Sequence, residues 1–203
     1  MDLREQLGDI DIMLFDQLHR GRLQRGMTVL DAGCGGGRNL VYMLRQGYEV
    51  HAVDQEPAAV EQVRRLAAEI APDVSPDRFA VASVESLPHP GALFDWVICN
   101  AVLHFARDED HFFAMLREMA RVLKPGGTFW ARLMSTHGVE PLVRPRGGRR
   151  FALPSGQEVF LVDEEFLSRM TREVFRGELA DPLKSTLVHG QRTMTTWVVR
   201  RGA

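Results

Sequence analysis

The sequence predicts a doubly wound α/β fold: a mostly parallel sheet, helices on both faces, and one antiparallel strand near the C-terminus. Three observations carry that expectation. Between residues 27 and 134, short apolar or β-branched runs take turns with segments of helical periodicity, which implies right-handed crossovers between parallel strands. The run VLDAGCGGGRNL, residues 29–40, packs four glycines behind an apolar stretch that ends in an acid, a poor choice for a core and a good one for a turn that meets a ligand. Near the C-terminus, two apolar runs are separated by a turn too short for a crossover, which requires an antiparallel pair.

Taken in order, Leu3, Leu7, Ile10, Leu14 and Leu18 recur three or four apart and predict one amphipathic helix over residues 2–18. TVLDA reads as a first strand, RNLVYMLRQG as a helix closed by Gly47, and YEVHAVD as a second strand. PAAVEQVRRLAAEIA opens with a proline and reads as a helix. DRFAVAS and FDWVICN supply the third and fourth strands. DEDHFFAMLREMARVLKPGG is a helix stopped by Pro125 and two glycines, with TFWARLM as the fifth strand. The rhythm then breaks over 135–162, where RFALPSGQEVFLV predicts a hairpin around Pro154, Ser155 and Gly156. DEEFLSRMTREVF returns to helix, and STLVHGQRTMTTWVVRR gives two strands turning at Gly190.

The 203 residues fit one domain, 1–203, with 1–26 as an N-terminal helical extension. Lys plus Arg number 25 against 27 for Asp plus Glu, and this near-balance argues against a dedicated nucleic-acid binder. No apolar run reaches the length of a membrane span, and the first residues lack a signal pattern. A cytoplasmic protein is expected, as a monomer or homodimer. Cys34 and Cys99 read as reduced, buried thiols, with no metal-ligand spacing around them.

The glycine loop has the layout of a nucleotide-type site: a strand ending in Asp31, then Gly33, Gly35, Gly36 and Gly37, then a helix. Asp54, at the end of the next strand, is placed to accept from two ribose hydroxyls. A dinucleotide fingerprint would need a third glycine where Arg38 stands, so NAD fits poorly. An acid-headed loop followed by Arg38 and Asn39 suits a ligand with a zwitterionic amino-acid end, and S-adenosylmethionine has that end plus a ribose. A tight turn with no ligand is the plain alternative.

VLDAGCGGGRNL, VHAVD, SVESLP, FDWVICNAVLHF and LKPGGTF together resemble, in order, the successive motifs of class I S-adenosylmethionine-dependent methyltransferases. The GCGGGRN form and the LHF after the fourth strand are similar to small-molecule members, including the tellurite-resistance type. The resemblance implies a seven-stranded Rossmann-like sheet and a cofactor site. In that site Asp31 orients the methionine amino group, while Gly33, Cys34, Gly35 and Gly37 line the methionine moiety. Arg38 pairs with its carboxylate or points to water. Asp54 takes the ribose, Gln55 packs on adenine, and the Val84 N–H and Ser83 hydroxyl reach the adenine edge. Ser83 stands where the family pattern often has an acid, with Glu85 as a possible substitute. Residues 135–162 become a variable, substrate-side insertion.

Methyl transfer from a sulfonium depends mainly on alignment, and a base is needed only when the nucleophile has a proton to lose. Asn100 stands at the sheet edge among the cofactor contacts. His104, a few residues on, is the candidate base, or else packs locally. His111 and His137 have no supporting neighbours in sequence, and His189 and Arg192 flank the final turn. NAVL replaces the Asn/Asp-Pro-Pro-aromatic sequence of enzymes that methylate nucleic-acid amino groups. The expectation is methyl transfer to a small soluble acceptor with no metal, giving S-adenosylhomocysteine. The alternatives are a nucleic-acid methyltransferase or a non-catalytic cofactor binder. Arg144, Arg146, Arg149 and Arg150 are either a solvated loop or a site for phosphate or carboxylate. The N-terminal helix either covers the substrate pocket, with Phe15 facing it, or packs on the sheet.

Overall fold

The computed structural model describes residues 2–203. Fully buried β1 (Thr28–Ala32) starts the α/β alternation, followed by α3 (Val41–Arg45), β2 (Glu49–Asp54), α4 (Pro57–Ile70) and β3 (Phe79–Val81). Then come β4 (Phe94–Asn100), α5 (Glu109–Val122) and β5 (Leu123–Ser135). The N-terminal region holds α1 (Leu3–Leu7) and α2 (Ile12–His19). The C-terminal part holds β6 (Arg144–Gly147), β7 (Arg150–Ala152), β8 (Glu158–Phe160), α6 (Glu164–Glu173), β9 (Glu178–Leu179), β10 (Lys184–Val188) and β11 (Arg192–Arg200).

The main sheet runs β10-β11-β5-β4-β1-β2-β3, with the two-residue β9 adding an eighth strand against β11. Strands β5, β4, β1, β2 and β3 pair in parallel, and β11 is antiparallel to both of its long neighbours. The seven-strand path is thus the doubly wound one expected, with β9 as an addition. The two faces bury separate cores. Leu30, Phe129 and Trp197 pack against α5 and α6 on one side, and Val29, Trp96 and Trp130 pack on the other. Helix α5 shows why such a segment folds locally: Asp108 caps it by accepting from the His111 N–H at 2.7 Å, and Phe112, Met115, Leu116 and Met119 form its buried stripe.

Four elements differ from expectation. The N-terminal helix is two, because Gly8 turns with φ 62° and Asp11 starts a second helix by accepting from the Met13 N–H. The helix before Gly47 keeps only Val41–Arg45, the loop occupying residues 38–40 as turns. Helix α5 ends at Val122, so Pro125 and its two glycines lie inside β5. The arginine run is no loop but the β6–β7 hairpin, part of a three-stranded meander β6-β7-β8.

That meander belongs to a closed excursion. Ser135 and Val162 form a bridge, the Thr136 N–H donates to the Val162 carbonyl at 2.9 Å, and the Val162 N–H donates to Met134 at 3.3 Å. The chain therefore leaves and rejoins the sheet edge at one place, and the segment between carries its own core of Val139, Val143, Leu153, Val159 and Leu161. No helix of the described residues is long and apolar enough to cross a membrane.

Candidate functional site

Parallel strands direct their C-terminal ends to one edge, where β1, β2 and β4 deliver their loops, and a cavity of about 880 Å³ opens there. The glycine loop forms one wall. Its first N–H groups, of Gly33 and Cys34, both donate to the Val53 carbonyl at 2.8 and 3.0 Å, which pins the loop to β2. Gly33 has φ 81°, and a Cβ there would collide with the Val102 side chain, so glycine is required for packing. Gly35 has φ 52° and no neighbour within 4 Å of its missing Cβ, so glycine there leaves room for a ligand.

Asp54 ties the loop to the next wall. One carboxylate oxygen accepts the Gly35 N–H at 2.8 Å and the other accepts the Glu56 N–H at 3.0 Å. Both oxygens keep a free lone pair, so the group can still receive hydroxyls. Gln55, Val84 and Asn100 also line the cavity. The Asn100 Oδ1 is buried with no hydrogen-bond partner among the described residues, an acceptor open to a ligand donor.

Of the predicted site residues, Gly33, Cys34, Gly35, Gly37, Arg38, Asp54, Gln55, Val84 and Asn100 meet at this cavity, and Asp31, Ser83 and His104 do not line it. Asp31 lies directly behind the loop, fully buried, and neither carboxylate oxygen closes a hydrogen bond. Burial pushes its carboxyl up to about 7, Arg38 opposing the shift, Asp54 adding to it and the Asn39 side chain tempering it without reaching bonding geometry. Ser83 stands behind Glu85 and helps keep that carboxylate charged. Cys34 and Cys99 are free buried thiols whose pKa values burial drives up, which makes both poor nucleophiles.

The His104 ring is 3% exposed and packs on Phe105 at 4.5 Å between centroids, with Nδ1 unpartnered. Burial, with Arg192 nearby, lowers its pKa to about 4, so the imidazole is neutral at pH 7. It is Phe105, 57% exposed, that lines the cavity. From the N-terminal segment Gly8 and Asp9 reach the cavity instead of Phe15, and a Cβ on Gly8 would sit 2.8 Å from Val41.

Sequence reasoning missed a histidine. His111 lines the cavity, its Nε2 3.2 Å from Glu85 Oε1 and its Nδ1 accepting the Arg107 N–H at 3.1 Å. An acceptor Nδ1 leaves the proton on Nε2, so His111 donates to Glu85 and neither nitrogen is free to act as a base. Arg38, half exposed at the cavity, also lies 3.6 Å from the Asp11 carboxylate, a partner the sequence did not announce. Three of the four arginines of the run are engaged within the fold. Arg149 pairs with Asp163 at 2.8 Å and stacks 4.0 Å over Phe166, Arg150 donates to the Ala106 carbonyl, and Arg146 pairs with Glu158.

Residues 29–127 match a family model described as a methyltransferase domain. The chain is 38% identical over 122 residues to the malonyl-[acyl-carrier protein] O-methyltransferase of Halorhodospira halophila, covering 59% of this chain and 38% of that protein. It is 39% identical over 107 residues to the ubiquinone biosynthesis O-methyltransferase of Xanthomonas campestris pv. campestris, covering 52% of this chain and 42% of the relative. The chain thus spans about two fifths of the length of these curated relatives. In fold it is similar to a Burkholderia thailandensis 1,6-didemethyltoxoflavin-N1-methyltransferase, solved with S-adenosylhomocysteine, at TM-score 0.69 and 24% identity over 94% of this chain and 76% of that one. It is equally similar to the [4+2]-cyclase SpnF, at TM-score 0.71 and 18% identity over 94% of this chain and 81% of that one.

Proposed function

We propose, from the match of residues 29–127 to a methyltransferase-domain model, that the protein transfers a methyl group from S-adenosylmethionine to a small soluble acceptor by in-line displacement. The observation that carries this reading is the cavity itself. One space joins an open glycine cradle at Gly35, a carboxylate at Asp54 with free lone pairs, and an unpartnered buried acceptor at Asn100. The cradle and Asn100 fit the amino-acid end of the cofactor and Asp54 fits its ribose, and Glu85 in the same cavity fits its base.

When bound, the cofactor supplies a methyl group on a sulfonium, which leaves as a neutral thioether and needs no proton from the protein. Gly33, Gly35 and Gly37 keep side chains out of the methionine path, the Asn100 Oδ1 offers an acceptor to the ammonium end, and the buried Asp31 carboxyl acts on it by its charge from behind the loop. Asp54 receives the ribose hydroxyls. Glu85, kept ionised by His111 and Ser83, accepts from the adenine amino group in the role expected of Ser83. The bond to the methyl carbon forms as the carbon–sulfur bond breaks, so the chain's task is to align an acceptor held between Gly8, Val102 and Phe105. His104, neutral and behind Phe105, shapes that wall.

Calorimetry with S-adenosylhomocysteine and S-adenosylmethionine tests the cofactor reading, and binding of neither overturns it. Turnover against a panel of carboxylate, phenol, thiol and amine acceptors then separates a catalyst from a cofactor binder that keeps only the fold.

A further inference from the structure

We propose that Asp11, in the N-terminal segment, is a positioning residue that holds the cofactor-facing side chains Arg38, Asn39 and Asn100 in place. The inference rests on reading the cavity as a cofactor site and extends it to a residue that does not line that cavity.

The side chain of Asp11 is 2% exposed, and it is the hub of contacts from three separate elements. Its Oδ2 receives Arg132 Nη1 of β5 at 2.7 Å and Asn100 Nδ2 at the end of β4 at 3.3 Å, and lies 3.6 Å from Arg38 Nη2 of the glycine loop. Its backbone N–H donates to Asn39 Oδ1 at 3.1 Å, while Oδ1 caps α2 through the Met13 N–H at 2.9 Å. A buried carboxylate is costly unless paired, and two of the side chains that pair this one, Arg38 and Asn100, line the cavity, as does Asn39 on its backbone N–H.

The orientation of Asn100 follows from this arrangement. With Nδ2 bonded to Asp11, Oδ1 is the acceptor of the amide left without a partner, on a residue that lines the cavity. Asp11 thereby decides that Asn100 accepts rather than donates, which is the polarity an ammonium group requires. Arg38, half exposed and with the longest of these contacts, is held beside the loop instead of in open solvent.

Helix α2 has a second tether that supplies the control. At its other end Gln17, Arg20 and Arg22 converge on Asp181, itself 5% exposed, at 2.9, 3.1 and 2.6 Å. A purely structural role for Asp11 predicts that Asp11→Asn and Asp181→Asn act alike. A positioning role predicts that they separate.

The experiment compares both variants with the parent protein by melting temperature, hydrogen–deuterium exchange without ligand, and calorimetry with S-adenosylhomocysteine. Both variants are expected to melt earlier. Only Asp11→Asn should speed amide exchange in residues 34–40 and 100–102, and only it should weaken binding, by about tenfold or more. Asp181→Asn should stay within about twofold of the parent in affinity, as expected for sites that do not couple. Should Asp11→Asn fail to fold, Asp11→Glu, which keeps the charge and moves it by one methylene, takes its place with the same expectations. Equal exchange in the two variants, or unchanged loop exchange in the Asp11 variant, overturns the proposal. A parent protein that does not bind S-adenosylhomocysteine overturns the cofactor reading instead, and the exchange measurement still decides the role of Asp11.

Discussion

The two walls of the cavity are built on different principles. The glycine-loop wall is made mostly of backbone: β1 and β2 run side by side, and Gly33, Cys34 and Gly35 are fixed by bonds to Val53 and Asp54. The opposite wall is made mostly of side chains from distant places, namely Asp9 beside Gly8 from the N-terminus, Val102 and Phe105 after β4, and His111 on α5. A backbone wall leaves a compact sequence signature and tolerates little change. A side-chain wall leaves almost none and can be rebuilt for another acceptor.

The sharpest way to break this comparison is within the loop. Gly33→Ala puts a Cβ into Val102 at a left-handed φ and should cost about 3 kcal/mol of stability, read by chemical denaturation. Gly35→Ala meets open space and should cost only about 1 kcal/mol, yet it should remove most cofactor affinity because the methyl fills the cradle. Equal stability losses would mean that both glycines serve packing alone. Next in size, Asp54→Ala should weaken S-adenosylhomocysteine binding by about thirtyfold or more, against about fivefold for Arg38→Ala, since Asp54 also fixes the Gly35 and Glu56 N–H groups. The reverse order would undo the ribose assignment.

The third effect is a pH dependence. The Asp31 carboxyl titrates near 7 when folded and free, and an ammonium ligand favours its charged form, so binding releases a proton. Affinity should therefore rise about tenfold from pH 6 to pH 8, and Asp31→Asn should flatten the profile. For stability the sign is opposite. The contribution of neutral Asp31 is fully present below its ordinary pKa of 3.8 and is lost as pH rises through about 7. Denaturation curves of the parent and Asp31→Asn at pH 5 and 8 check this: the substitution should stabilise the protein more at pH 8.

The smallest effect concerns the side-chain wall. His104→Ala should cost about 1–2 kcal/mol through lost packing on Phe105, with turnover changed by no more than threefold or so. A large loss of turnover at intact stability would restore the imidazole as a candidate base.

This contrast also explains what the sequence could tell. The strands TVLDA and FDWVICN have in the structure the bounds expected of them, because β-branched apolar runs between turn residues leave few other options. Nine of the twelve predicted site residues line one cavity because they sit at strand ends, where the topology alone brings them together. The break at Gly8 was not legible: the apolar spacing continues across it, and only the fit of Gly8 against Val41 fixes the turn. His111 was missed because its partner Glu85 lies 26 residues away, and no local pattern announces a tertiary contact. Arg149 and Arg150 looked like solvated charge because Asp163 and the Ala106 carbonyl come to them only in the folded chain.

The excursion that leaves the sheet at Ser135 and returns at Val162 has ends joined by a bridge and two hydrogen bonds. Anything that starts and finishes at one point behaves as an exchangeable cassette: it can lengthen, shorten or be replaced while the doorway keeps its shape. Residues 136–161 contribute nothing to the lining of the cavity, so the excursion is not the substrate-side insertion expected from the sequence, and editing it can leave the cavity intact. An engineer inserting or removing a segment there has the same two residues as cut sites.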